Sequence, residues 1–332
     1  MSFWLKFLAG LLVLLAGIGF AAYRYVEQWR HSTESIRGTD TFILERGQSF
    51  RSFAEQLSRA GVVEHPRLWA LLARLDGTAT RIKAGEYRIR DDDTPERLVQ
   101  RLIARDVVTY RVGFIEGWTI AQALDVLAAD PVLRRDLESV DTTGLLEALG
   151  LSGAHPEGLF FPDTYQFERG DSDRDILLRA HARMMSVLDE AWTSRAEGLP
   201  YETPYEALIV ASLVEKETGH EAERERIAQV FVNRLKLGMR LQTDPTVIYG
   251  LGARFDGNLT RAHLREDTPY NTYVHGGLPP SPIALPGVRS IQAALHPAEG
   301  DYLYFVSRGD GTSEFSVTLE EHNRAVRKYQ LR

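Results

Sequence analysis

The chain has 332 residues, 44% of them hydrophobic and 26% charged, an ordinary globular composition with room for two or three domains. A net charge of -7 and the lack of any long basic tract argue against nucleic-acid binding. The absence of cysteine excludes disulfides, thiolate catalysis and cysteine-type zinc sites.

The first element is an uncharged run, Phe7-Leu-Ala-Gly-Leu-Leu-Val-Leu-Leu-Ala-Gly-Ile-Gly-Phe-Ala-Ala22. Extended over residues 3–23 it reaches roughly 20 residues, enough to cross the hydrocarbon core of a bilayer. The alternative is a cleaved signal peptide. Against it, the run is long for such a segment, and Tyr23-Arg24-Tyr25 stands where a small-residue cleavage site belongs. We expect residues 1–25 to form a short tail and an uncleaved anchor. Lys6 and the amino terminus face Arg24 and Arg30 across the span, so charge leaves the orientation open. A short tail before a large soluble portion places the tail inside and the rest outside, in a periplasm or equivalent cell-wall space.

Residues 26–40 are polar and read as a linker. A small α/β unit is expected over 41–110. It has strands at Thr41–Leu44 and Gly85–Ile89, and a helix from Ser49 to Ala60 with Phe50, Phe53, Ala54 and Leu57 inside. A helix opened by His65-Pro66 would bury Leu68, Leu71, Leu72 and Leu75. Another, capped by Thr94-Pro95, carries Leu98, Leu102 and Ile103. No cluster of His, Asp or Glu marks this unit for chemistry, and it reads as a binding or spacer module.

Helices follow over about 173–194, 204–218 and 222–237. In the second, Thr203-Pro204-Tyr205-Glu206 is a capping box and Gly219 a candidate C-cap. At about 100° per residue, Val210, Leu213 and Val214 form one stripe, and Glu217 falls in its middle. A carboxyl in apolar surroundings holds its proton more tightly, as a general acid at neutral pH must. Glu215 lies on another face. The bland alternative for Glu217 is a helix-end carboxylate that reaches water or pairs with Arg224. In the third helix, Ile227, Val230, Phe231 and Leu235 form the inner face, and Gly238 ends it. Beyond residue 240, Gly and Pro become frequent. Tyr302–Val306 and Glu314–Val317 read as a hairpin, followed by a helix from Thr318.

Polar and aromatic loops cluster around that helix: Leu241–Thr246, Thr268–Tyr273, Gly276–Ile283 and, upstream, Glu157–Tyr165. Aromatic faces with amide and hydroxyl groups suit sugars, although Pro and Asn also shape ordinary loops. His220-Glu-Ala-Glu-Arg224 fails the zinc-protease pattern because Arg224 takes the second ligand position. No phosphate-binding or dinucleotide glycine motif and no nucleophile elbow occurs.

The strings Ala211-Ser-Leu-Val-Glu-Lys-Glu-Thr218, Val230-Phe-Val-Asn-Arg-Leu235, Gly238-Met-Arg-Leu-Gln-Thr-Asp-Pro-Thr-Val-Ile-Tyr-Gly250, Tyr270-Asn-Thr-Tyr273 and Gly277-Leu-Pro-Pro280 together resemble the endolytic murein transglycosylases, the MltG or YceG-like family. Lys83–Tyr87, Glu116-Gly117, Pro162–Thr164 and Tyr302–Val306 match as well. The resemblance implies an α+β protein: a single transmembrane helix, a lysin-motif-like (LysM-like) domain over 41–110, and a catalytic domain over 111–332 with a lysozyme-like helical core and an added β portion. It implies that Glu217 is the catalytic acid and base, with Thr218 where related enzymes carry serine. It places glycan contacts at Gln242, Thr243, Asp244, Tyr270, Asn271, Tyr273 and Glu157. It implies a bacterial inner-membrane enzyme with its catalytic domain in the periplasm, which cleaves within peptidoglycan strands, leaves 1,6-anhydro-muramic acid ends, limits nascent strand length and needs no metal or cofactor. Peptidoglycan synthases and the elongation or division machinery are the candidate partners. The rivals are a hydrolytic muramidase, with Asp244 as the second carboxylate to check, and a non-catalytic wall-binding scaffold.

Overall fold

One long helix, α1 (Ser2–His31), opens the chain. It is the single helix, among the described residues, long and apolar enough to cross a membrane. The computed structural model describes residues 2–38, 40–137 and 140–330. Met1, Thr39, Glu138, Ser139, Leu331 and Arg332, which fall in the ranges expected for tail, linker and catalytic domain, lie outside them. The chain divides into two units, 1–110 and 111–332.

In the first unit, β1 (Thr41–Leu44) and β2 (Gly85–Arg88) pair antiparallel, with Thr41 opposite Arg88 and Leu44 opposite Gly85. Between them in sequence lie α2 (Phe50–Arg59) and α3 (Pro66–Leu75), and α4 (Pro95–Ala104) follows. Phe53, Leu57, Tyr87, Leu98 and Leu102 are fully enclosed. Two expectations fail here. The polar segment 26–40 is not a free linker: α1 runs unbroken to His31, and Trp29 and Ile36 join the core of this unit. Arg30 holds the same turn through Asp76 at 2.8 Å and Glu96 at 2.5 Å. In α3, Trp69 and Ala73 take the buried face one turn apart, which leaves Leu71 and Leu75 exposed. The four leucines do share one stripe, but the buried face is turned away from its centre toward Trp69 and Ala73, so only Leu68 and Leu72, on the near edge, pack against the core.

The second unit is mixed helix and short sheet. The pair β3 (Thr109–Gly113) and β4 (Thr164–Glu168) accompanies α5 (Ile120–Ala129), α6 (Leu145–Leu149) and α7 (Asp173–Thr193). Next come α8 (Pro204–Glu217), α9 (Arg224–Lys236), α10 (Asp244–Leu251) and α11 (Val288–Leu295). The chain ends in the antiparallel hairpin β5 (Tyr304–Ser307) and β6 (Ser313–Ser316), then α12 (Leu319–Tyr329).

Helix α8 is the centre of this unit. Every residue from Ala207 to Val214 is buried, and α7, α9, α10 and α11 all pack on it. Such a helix is apolar all round, not striped. Ser212 is tolerated inside because its hydroxyl donates to Ile209 O and accepts from Ile283 N–H. The helix ends on Thr218 in extended conformation (φ -146°), not on a left-handed Gly219. His220 N–H then bonds the Thr218 hydroxyl at 2.8 Å and fixes the exit.

Candidate active site

Glu217 is the last residue of α8, so its placement begins with the start of that helix. Thr203 accepts from Glu206 N–H, and Glu206 accepts from Thr203 N–H, the reciprocal cap read from the sequence. Apolar packing on every side of the following turns then fixes α8 in register and delivers Glu217 to a cavity of about 660 Å³. Gln242, Thr243, Asp244 and Tyr273 line that cavity with it, as do Arg234, Tyr304 and His322.

The Thr243 hydroxyl donates to Glu217 Oε1. No cation stands within ion-pair distance of Glu217 among the described residues. Burial raises its pKa to about 7; the Thr243 bond and, across the cavity, the charge of Arg234 oppose the rise, and the charge of Asp244 adds to it. The net result is a carboxyl that keeps its proton for a large fraction of the time at neutral pH, while facing a cavity that admits a ligand.

Thr243 is itself buried and clamped. Its N–H bonds Thr272 Oγ1 at 3.0 Å, and its carbonyl accepts from the Thr246 hydroxyl at 2.7 Å. Thr246 and Thr272 share a further bond at 2.9 Å. The residue before it, Gln242, adopts a left-handed φ of +50°. That conformation costs a non-glycine residue about 1 kcal/mol or more. It is held by Gln242 N–H donating to Thr272 O at 3.2 Å. The 242–246 and 271–273 segments are thus locked together next to Glu217, before any ligand arrives. Asp244 is exposed at the cavity and accepts from Tyr273 OH at 2.6 Å.

Glu215 has different company. Its Oε2 accepts from Gly287 N–H at 3.0 Å, and its Oε1 lies 3.4 Å from Arg224. The ion pair with Arg224, considered in the sequence for Glu217, belongs to Glu215. Lys216, between them, reaches Gly117 O at 3.1 Å.

Three of the expected glycan contacts sit elsewhere. Glu157 is 1% exposed; it accepts from Ile120 N–H at 2.9 Å and from Tyr249 OH at 3.0 Å. Burial raises its pKa to about 7 as well. Asn271 is fully buried and spends its amide on the carbonyls of His263 and Glu266. Tyr270 packs edge-on against Tyr249 and shares a hydrogen bond with Ser281 at 2.7 Å. None of the three lines the Glu217 cavity. They satisfy buried backbone and hydroxyl groups of the surrounding loops, which is why polar residues occur there.

Other cavity residues were not legible as site residues. Arg234 takes the buried position that the α9 pattern assigns to Leu235, which is only partly buried. Its spacing of three from Phe231 and four from Val230 is the signal that could have found it. Tyr304 and His322, stacked at 5.2 Å, come from β5 and α12 and meet only in the folded chain. Among the described residues, no three His, Asp or Glu side chains are grouped to hold a metal ion.

Comparison with known proteins adds to this geometry. Residues 42–328 match the model of the YceG-like family. A Bacillus subtilis (strain 168) protein named endolytic murein transglycosylase is 31% identical, over 86% of this chain and 83% of its own length. A Streptococcus pneumoniae (strain D39) protein of the same name is 27% identical over 99% of this chain, which spans 65% of that relative. A crystal structure of a yceG-like protein from Listeria monocytogenes superposes with a TM-score of 0.54 at 29% identity, covering 86% of this chain and 99% of that one.

Proposed function

The chain belongs to the YceG-like family, and from that premise we propose that it is a lytic transglycosylase that cuts peptidoglycan strands internally, with Glu217 as its acid and base. The single observation that carries the assignment of Glu217 is its setting: a carboxyl with its pKa raised to about 7, lining an open cavity, with a hydroxyl against it and, among the described residues, no cation at ion-pair distance.

The chemistry needs one such group. Protonated Glu217 donates to the glycosidic oxygen between N-acetylmuramic acid and N-acetylglucosamine as that bond breaks. Its carboxylate then takes the proton of the muramyl 6-hydroxyl, whose oxygen bonds the anomeric carbon. The new end is 1,6-anhydro-muramic acid, and no water is consumed. The nucleophile belongs to the substrate, so its attack is intramolecular and gains from proximity. Thr243 points the carboxyl, and the clamped 242–246 segment keeps it from swinging away.

The remaining expectations fit around this core. Helix α1 serves as a single-pass inner-membrane anchor, leaving the catalytic unit in the periplasm beside newly made glycan, whose length it limits. The antiparallel β1 and β2, separated by two helices, support a lysin-motif-like role in glycan binding for the first unit. The enclosure of α8 by four helices supports a lysozyme-like core. Synthases and elongation or division proteins are the partners such a placement would offer.

Asp244 favours a second reading. It is an exposed carboxylate on the same cavity, and its charge reaches Glu217. Were it to activate water, the enzyme would be a muramidase. Mass analysis of strands cut in heavy-oxygen water separates the two. Anhydro ends without label support the transglycosylase; reducing, labelled ends establish the muramidase instead.

A further inference from the structure

Arg234 has an unusual position for a cation. It is 8% exposed, yet among the described residues no carboxylate lies within ion-pair distance of its guanidinium. Its Nε donates to Leu303 O at 2.7 Å, and its Nη1 donates to Leu241 O at 2.7 Å and Arg240 O at 3.3 Å. Those bonds fix the plane of the guanidinium. They also leave Nη2 without a partner among the described residues, while the side chain lines the Glu217 cavity. The C-terminal turn of α9 is equally fixed: Gly238, at φ +68°, lets Met239 N–H close on Arg234 O at 2.8 Å. Beside the guanidinium stands Tyr304, its ring centroid 5.2 Å from Cζ, and His322 stacks on the same ring. The Nδ1 of His322 is buried and unbonded.

The nearest carboxyl across the cavity, Glu217, is felt only at a distance and is neutral when it holds its proton; a buried charge with no counter-charge in contact is costly, and carbonyl dipoles compensate it only in part. A guanidinium edge held rigid and left open to a cleft matches a carboxylate better than a neutral sugar hydroxyl. We propose that Arg234, with Tyr304 and His322 beside it, forms a subsite for a carboxylate of the substrate. This rests on the peptidoglycan assignment above. The amino sugars of the strand are themselves neutral, so the anion comes from what hangs on the muramyl residue. It is either a free carboxylate of the peptide stem or, on a strand without stems, the lactyl carboxylate. Arg234 then makes the cleft prefer substituted muramyl units over uncharged polysaccharide of the same backbone.

The test uses the full chain with Glu217→Gln, so that ligands bind without being cut. Affinity is measured for strands with intact stems, for stem-free strands, and for each after its carboxylates are converted to amides. Amidation is expected to weaken binding of at least one pair by about tenfold, as loss of one charge-assisted contact should; the pair that responds identifies the source of the carboxylate. Adding Arg234→Gln, which keeps donors for the carbonyls but removes the charge, should make free and amidated strands bind alike. Equal affinity for free and amidated strands in both pairs, with Arg234 present, overturns the subsite and leaves the enzyme assignment standing. Failure of every strand to bind overturns both.

Discussion

On one side of the last turn of α8, Glu215 meets the Arg224 guanidinium and the Gly287 N–H. On the other side, two residues later, Glu217 meets a threonine hydroxyl and the cavity. The helix is the same and both side chains are drawn out of water, but only Glu215 is given a positive partner. Enclosure with a cation and a donor makes a structural link between helices. Enclosure without a cation favours the neutral acid. Glu157 completes the comparison. Its pKa is also raised to about 7 by burial, but its two oxygens are occupied by Ile120 N–H and Tyr249 OH. A raised pKa is therefore not sufficient; the acid must also face space that a substrate can fill.

The largest effect should come from Glu217→Gln. Loss of the proton donor is expected to lower strand cleavage by about a thousandfold with the fold intact. The same variant sharpens the comparison through stability. A carboxyl whose folded pKa lies above its unfolded value binds more protons folded than unfolded between those values, so wild-type stability falls as pH rises from about 4.5 to about 7. The Gln variant lacks that loss, so its melting temperature should exceed the wild type's at pH 8 by more than at pH 5. An unchanged gap would mean that Glu217 is well solvated.

Glu215→Gln should do the reverse. Removing one partner of an enclosed pair leaves Arg224 uncompensated, at a cost of about 2–3 kcal/mol in chemical denaturation. Cleavage per folded molecule should stay within about threefold of wild type, far from the acid-catalysis range. Equal catalytic loss in the Glu215 and Glu217 variants would break the distinction between the two sides of the turn.

Thr243→Val is expected to lower kcat by about tenfold, by releasing the orientation of Glu217. Because the Thr243 bond lowers the Glu217 pKa, its removal raises it. The acid stays protonated to higher pH, so the alkaline limb of the rate profile should move upward. Thr243→Ser should restore both. The smallest change is foreseen for Glu157→Ala. It should cost about 1–2 kcal/mol by stranding Ile120 N–H, with no shift in the pH profile.

How much of this could be read in the chain follows the same physics. The apolar run of α1 and the cap of α8 are local signals, and both were visible. The enclosure of α8 was not, because a helix buried on every side has no single inner stripe; placing Glu215 on another face therefore does not reveal that it too is drawn out of water. Asn271 and Glu157 looked like sugar-binding groups because a polar residue in a loop does not reveal whether it faces a ligand or a neighbouring backbone N–H. Trp29 and Ile36 were hidden among polar neighbours in a segment that looked like a tether. Arg234 is not legible because a charged residue on an inner face contradicts the apolar spacing that marks that face. Tyr304 and His322 come from elements far from Glu217 in sequence, so no spacing could bring them together.

The most direct test is a carbon-detected NMR titration of the Glu217 side-chain carboxyl in the folded protein, assigned with Glu217→Gln. The midpoint is expected near pH 7, moving upward in Thr243→Val. A midpoint in the ordinary carboxylate range, unmoved by the loss of Thr243, would contradict the assignment of Glu217 as the acid.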